Sequence, residues 1–352
     1  LFSMASSIAV ERDWVVVLCN NDSYLLTRTF KLLCLGMFTY ANLLSETNSV
    51  MQRIDLVCKV AAPAVLGFIL QVTPLIYVLI GISIWNVVTL VPELYLLIQI
   101  YDENQTVLSK KIAVNSSEES DEDENKEIET DLEDSVTEKC DAGQIGPVLK
   151  DTLRGWVVYF THNVVLASLA FVMLFCTILA PGGLFNAYLN IEGIEDWMLG
   201  TMTGIAAIIG LIATYIQPIL SLRLGPKTTG IAMLWFQFGL LLVSVVCLYK
   251  GYLFFFMGFV AVSRFPLWAF DLVERQIMQL SIGETERGIV NSVESSLANI
   301  ATFFIYVLAT VFADPSEFIY LALVSLCSVL LAAGFFTIWC AINVSTARQA
   351  QD

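Results

Sequence analysis

The chain has 352 residues, of which 57% are hydrophobic and only 14% charged, and its mean hydropathy is +0.73. A soluble domain carries roughly 25% charged and about 45–50% apolar residues. Here the apolar excess falls in blocks as long as the roughly 20 residues that a helix needs to cross a bilayer core, which excludes a soluble enzyme and predicts a multi-span, all-α membrane protein. The net charge of −15 defines no surface, because 15 Asp and Glu against 4 Lys lie between Asp102 and Asp141. That run has almost nothing to bury and reads as a solvated, disordered linker rather than a metal-collecting tail. No nucleic-acid partner is expected. The eight cysteines (19, 34, 58, 140, 176, 247, 327 and 340) form no CxxC and read as small buried hydrophobes.

In chain order, residues 1–18 read as the tail of a helix already under way, and 20–49 as an ambiguous stretch with an interfacial patch over 30–44. Eight full spans follow, at about 50–72, 75–101, 156–184, 194–222, 228–249, 251–280, 287–313 and 316–343. The joints carry breakers: Thr73-Pro74, Pro181-Gly182-Gly183, Gly225-Pro226 and Asp314-Pro315. Proline cannot continue a helix it follows, and glycine permits the reversal. One set of loops holds Arg28, Lys31, Lys110, Lys111, Lys150, Arg154, Arg223, Lys227, Arg287 and Arg348, whereas the alternate set holds only Lys250. Basic residues stay on the cytoplasmic side, so the 102–150 loop and the C-terminus are expected there. The loop splits the chain into 1–101, the remnant of a first lobe, and 151–345, a six-helix second lobe followed by a short tail over 346–352. A long loop before six helices is the pattern of a two-lobed transporter.

Ionisable residues within spans are costly and mark a site or a helix pairing. Asp55 reads either as a cation ligand or as the partner of Lys59, four residues on along the same face. Asn86 and Glu93, two turns apart, suit an oxygen-seeking cation such as calcium, unless Glu93 simply meets water at the helix end. Arg264, Asp271 and Arg275, spaced seven and four, read as a structural or gating network, which Glu294 could join. His162, the one histidine, reads as a surface or packing residue. There is no nucleophile motif and no phosphate-binding loop, so no enzymatic activity is expected.

Several strings together resemble the ferroportin family (solute carrier family 40). They are Glu11-Arg12-Asp13-Trp14-Val15-Val16-Val17, Arg53-Ile54-Asp55, Ala62-Pro63 ahead of Gly67, Trp85-Asn86 with Glu93, Gly155-Trp156-Val157, Leu267-Trp268-Ala269-Phe270-Asp271-Leu272 and Glu286-Arg287-Gly288-Ile289-Val290-Asn291. The resemblance implies a major-facilitator fold, entered here late in the fourth helix, that exports ferrous iron against inward proton movement across the plasma membrane. It implies that Asp55 is the fifth-helix iron ligand of the first lobe, and that Asn86 and Glu93 hold an activating calcium. Arg12, Asp13, Arg264, Asp271, Arg275 and Arg287 fall on gating or salt-bridge positions.

The second lobe departs from the family pattern. The metal-binding cysteine falls on Gly183 and the histidine on Ile305, neither of which can hold a metal through its side chain. The second iron site is therefore expected to be absent or rebuilt, with Cys176 as one candidate donor. Control by a hepcidin-type peptide, which uses the family cysteine that falls here on Gly183, is not expected. The alternatives are a major-facilitator transporter of another solute, or a truncated, non-functional product.

Overall fold

The computed structural model describes residues 47–58, 69, 73–103, 154–312 and 314–349, and every regular element among them is helical. Helix α1 covers 47–58, and α2 runs from Leu75 to Glu103. The second lobe comprises α3 (Arg154–Thr161), α4 (Val165–Met173), α5 (Gly183–Ile191), α6 (Asp196–Leu224), α7 (Pro226–Tyr249), α8 (Leu253–Val262), α9 (Arg264–Ser281), α10 (Glu284–Val311) and α11 (Phe318–Gln349). Arg12, Asp13, most of the acidic loop and residues 350–352 lie outside the described residues, whereas 346–349 of the expected tail continue α11.

Among the described residues five helical stretches are long and apolar enough to cross a membrane, or six if α3 and α4 form one span. The joints form where the breakers stand. Gly225 takes a φ of 79° and accommodates the left-handed turn that ends α6, and Pro226 opens α7, where its missing N–H costs nothing. Asp314 accepts the Ser316 N–H at 2.9 Å and the Ser316 hydroxyl at 2.7 Å, capping the turn that leads into α11.

One expected span is not a continuous helix. The 156–184 stretch is α3 and α4, bent by 102° at His162-Asn163-Val164, followed by non-helical backbone to α5. His162 Nδ1 accepts the Val164 N–H at 3.3 Å and stabilises the bend. The expected 251–280 is present as one span, Leu253–Ser281, whose apolar first part (α8) and polar second part (α9) join through Ser263 in helical backbone conformation.

The polar helix α9 is the centre of the lobe, packed against α4, α6 and α7. Its Phe270 meets Phe336 of α11 edge to face at 5.1 Å, with both rings fully buried. Asp271 and Glu274 are buried on the same helix, so the lobe interior is polar as well as packed. By contrast α2 exposes large apolar residues around its circumference, among them Ile76, Tyr77, Leu79, Trp85 and Val88. A helix that is apolar all round requires lipid or other helices about it.

Candidate functional site

Helix α1 crosses to the second lobe at one end of the bundle. Asn48 donates to Gln279 Oε1 at 2.5 Å, and Gln279 Nε2 returns a bond to Asn48 Oδ1 at 3.3 Å, so two buried amides satisfy each other. One turn along, Arg53 donates through Nε to Thr214 Oγ1 at 3.2 Å and through Nη2 to the Thr214 carbonyl at 3.0 Å. Its guanidinium carbon stands 3.8 Å from the Tyr215 ring centroid, in cation–π range. Arg287 supports this closure from behind, because its Nη2 donates to the Gln279 and Ile282 carbonyls at 3.3 and 3.1 Å. Gln279 lies at the end of α9 nearest the basic loops, and Thr214 in the half of α6 that leads to them.

Beyond the closure lies a cavity of about 800 Å³. Leu56 of α1 lines it, together with Asn186 and Asn190 of α5, Asp196 and Thr203 of α6, and Arg264 and Trp268 of α9. Gly200 and Gly204, one turn apart on α6, widen it, since a Cβ at either would meet only open space. Arg264 is 8% exposed. Its Nη2 donates to the Leu179 carbonyl at 2.8 Å and to Ser263 Oγ at 3.2 Å, whereas Nε makes no hydrogen bond.

The other sequence-predicted residues divide among several places. Asp55 adjoins Leu56 and is exposed. Asn86 is exposed on α2, and Glu93 lies two turns further along the same helix, its side chain outside the described set. Asp271 and Arg275 pair along α9 at 3.6 Å, while Arg264 turns instead to the Leu179 carbonyl. Glu294 is fully buried and accepts from Ser168 at 2.6 Å; Ser168 also meets Tyr159 at 2.7 Å. Gly183 and Ile305 come together. Both line one cavity of about 210 Å³, whose remaining polar side chains are those of Thr177, Thr302 and Tyr306. Cys176 does not reach it, lining instead a separate apolar cavity of about 690 Å³ with Cys327. Among the described residues no three or more His, Cys, Asp or Glu side chains converge as a metal cluster.

Sequence reasoning missed Asn48, Gln279 and Thr214. Each is polar within or beside an apolar stretch, which is a usable signal, but none has a charged partner nearby in sequence to mark it.

A helical membrane bundle with a large cavity, walled by distant parts of the chain that hydrogen-bond to one another beside it, is the architecture of a polytopic transporter. The family profile described as Ferroportin1 (FPN1) matches residues 37–329, and the chain belongs to the ferroportin family. It is 30% identical over 360 residues to Solute carrier family 40 member 1 of Arabidopsis thaliana, covering 96% of this chain and 64% of that protein. It is 30% identical over 308 residues to Ferreportin of Bdellovibrio bacteriovorus, covering 84% and 62%. The crystal structure of a bacterial homologue of the iron transporter ferroportin in an outward-facing state superposes with a TM-score of 0.68 at 26% identity, covering 96% of this chain and 69% of that one. The chain thus spans somewhat less than two thirds of the curated relatives it matches.

Proposed function

We propose that the protein exports ferrous iron by alternating access, and that its cavity here faces the outer side of the plasma membrane. The observation that carries this reading is the one-sided closure. Asn48, Arg53, Thr214 and Gln279 seal the end that bears the basic, cytoplasmic loops, and the cavity of about 800 Å³ lies beyond them. A path closed on one side and open on the other is what alternating access requires of each end state. The likeness to an outward-facing iron-transporter homologue supports it.

The chemistry is coordination and release of a substrate ion, not bond-making. Asp55, next to cavity-lining Leu56, supplies the first-lobe carboxylate, and inward proton movement balances the export as protons replace iron on such a group. Co²⁺ and Ni²⁺ share the path, because affinity alone separates these borderline cations poorly. Asn86 and Glu93 fit a calcium ion as oxygen donors two turns apart on α2. Calcium takes about six to eight oxygens, so these two make part of its shell and other oxygens complete it. No role is assigned to a hepcidin-type peptide.

The reading is tested by reconstituting the full-length protein in vesicles and following Fe²⁺ with a quenched fluorophore. Iron is expected to leave the compartment facing the basic loops, faster when protons can flow the opposite way. A folded protein that moves no iron in either direction overturns the assignment. A second consequence concerns calcium. Glu93→Ala should lower calcium-stimulated transport several-fold while leaving the calcium-free rate near its starting value, and equal loss with and without calcium would remove calcium from the account.

A further inference from the structure

The cavity of about 690 Å³ is of a different kind from the large one. It is a groove walled by α4, α10 and α11. Helices α10 and α11 follow each other in sequence yet touch little, because both pack on α4, and the groove occupies the gap between them. No charged residue lines it. Ser328, a hydroxyl on its wall, is already engaged in donating to the Met173 carbonyl at 2.6 Å. An ion or a polar solute would find no charged partner here, and apolar spaces of this kind stay dry.

The dimensions of the groove match one lipid tail. Along α11 its lining runs from Tyr320 to Leu331, about 16 Å of helix, close to half of a ~30 Å bilayer core. Tyr320 stands near the start of the span Pro315–Asn343 and Leu331 near its middle, so the groove is one leaflet deep. Ile300, Phe304, Tyr320, Leu323 and Leu331 on its rims are half-exposed, which opens it sideways between the two spans. A partner helix would use the whole thickness of the membrane; an acyl chain uses one half. The charge at the mouth selects the lipid. Asp314 is exposed and Glu317 half-buried, both within two turns of Tyr320. Lys250, the basic residue of the loops on this side, belongs to the α7–α8 turn, and neither α7 nor α8 lines the groove. Phe312 and Tyr320 meet at 5.8 Å beside the acids. Carboxylates next to aromatic faces suit a quaternary ammonium and repel an anionic headgroup.

We propose that the groove between α10 and α11 holds one acyl chain of a zwitterionic phospholipid, whose choline headgroup lies at Asp314 and Glu317. The site rests on the membrane spans and not on the iron-export reading. Its consequence for the lobe lies in α10, which separates the groove from the small cavity. Ile300, Ala301 and Phe304 line the groove, whereas Thr302, Ile305 and Tyr306 line the cavity that also holds Gly183. A tail in the groove packs the back of that wall, and an empty groove would leave it without van der Waals partners.

The test is photolabelling of the full-length protein in vesicles that contain phosphatidylcholine with a diazirine at the middle of one acyl chain, followed by mass spectrometry of the labelled peptides. Label should concentrate on 297–304 and 320–331, several-fold above the exposed face of α8. Ile300→Trp and Cys327→Trp, which fill the groove from exposed positions, should each reduce it several-fold, whereas Phe254→Trp, exposed on α8, should not. Labelling should fall as unlabelled phosphatidylcholine is raised and stay high when phosphatidylglycerol replaces it. Should a Trp variant fail to fold, this competition on the wild type carries the test. Label spread evenly over the exposed faces, folded Trp variants labelled like the wild type, or equal displacement by phosphatidylglycerol would overturn the proposal. So would a groove that takes no label in the full-length protein, because protein then covers it. Groove labelling in a protein that moves no iron would leave the lipid site standing while removing the iron reading.

Discussion

Replacing Arg53 by alanine is expected to open the closed end of the bundle and to slow the labelling of the cavity from outside. The side chain makes two hydrogen bonds to Thr214 and stacks on Tyr215. A hydrogen bond from a charged group contributes about 1.5–3 kcal/mol, and a cation–π contact about 0.5–1 kcal/mol at an accessible site. Arg53 is half-buried, so the low end applies, and a loss of about 2 kcal/mol shifts a two-state equilibrium roughly 30-fold. None of this energy is recovered once α1 separates from α6. A cysteine introduced at Thr203, which is exposed and lines the cavity, reports the change. Its reaction with a membrane-impermeant thiol reagent applied outside should slow several-fold in the Arg53→Ala background. Equal rates would mean that the Arg53 contacts do not hold the closed end.

Gly230→Leu is expected to be among the most destabilising single substitutions in the second lobe. A Cβ at this position would lie 2.5 Å from Phe336 Cε1, 2.7 Å from its Cζ and 3.2 Å from Val273 Cγ1. Small residues permit such close helix approach in membranes. Two effects oppose each other. Removing glycine from a helix interior gains up to about 1 kcal/mol, while overpacking a filled core costs about 1–3 kcal/mol and occasionally more. Phe336 is the far end of a side chain, which could in principle move. It is fully buried between Phe270 at 5.1 Å and Trp339 at 5.5 Å, so it has nowhere to go, and overpacking wins. Thermal unfolding in detergent should show a fall of several degrees, partly restored when Phe336→Leu is added, because contacting residues couple. Additive losses in the double variant would place the clash elsewhere.

Hydropathy read the regular spans of the second lobe closely. The expected 194–222, 228–249 and 287–313 correspond to α6, α7 and α10, with shifts of a few residues at either end. It failed at 156–184, where one apolar block contains a sharp bend and an unwound stretch. Hydropathy counts residues by transfer cost and is blind to direction. The punctuation was nonetheless present, in Thr161-His162-Asn163 and Pro181-Gly182-Gly183. The expected 251–280 corresponds to the single span Leu253–Ser281, made of α8 and α9.

The site was legible to the extent that its chemistry is local. Asp271–Arg275 follows from i, i+4 spacing. Arg53, two residues before Asp55 in the family string, meets Thr214 and Tyr215, about 160 positions away, which local spacing cannot show. Arg264, expected in a charge network with Asp271 and Arg275, faces a cavity that only the fold of α5, α6 and α9 creates. The convergence of Gly183 and Ile305 on one small cavity places together two positions that the family resemblance had singled out separately.

The central claim, iron export through a path that includes Asp55, is tested most directly by radiolabelled Fe²⁺ efflux from loaded cells expressing the full-length protein or its Asp55→Ala variant. Loss of outer-sphere partners alone costs about 10–100-fold in metal affinity, so loss of a direct carboxylate ligand should reduce efflux to near background with surface expression unchanged. Efflux that continues undiminished in Asp55→Ala would contradict the account.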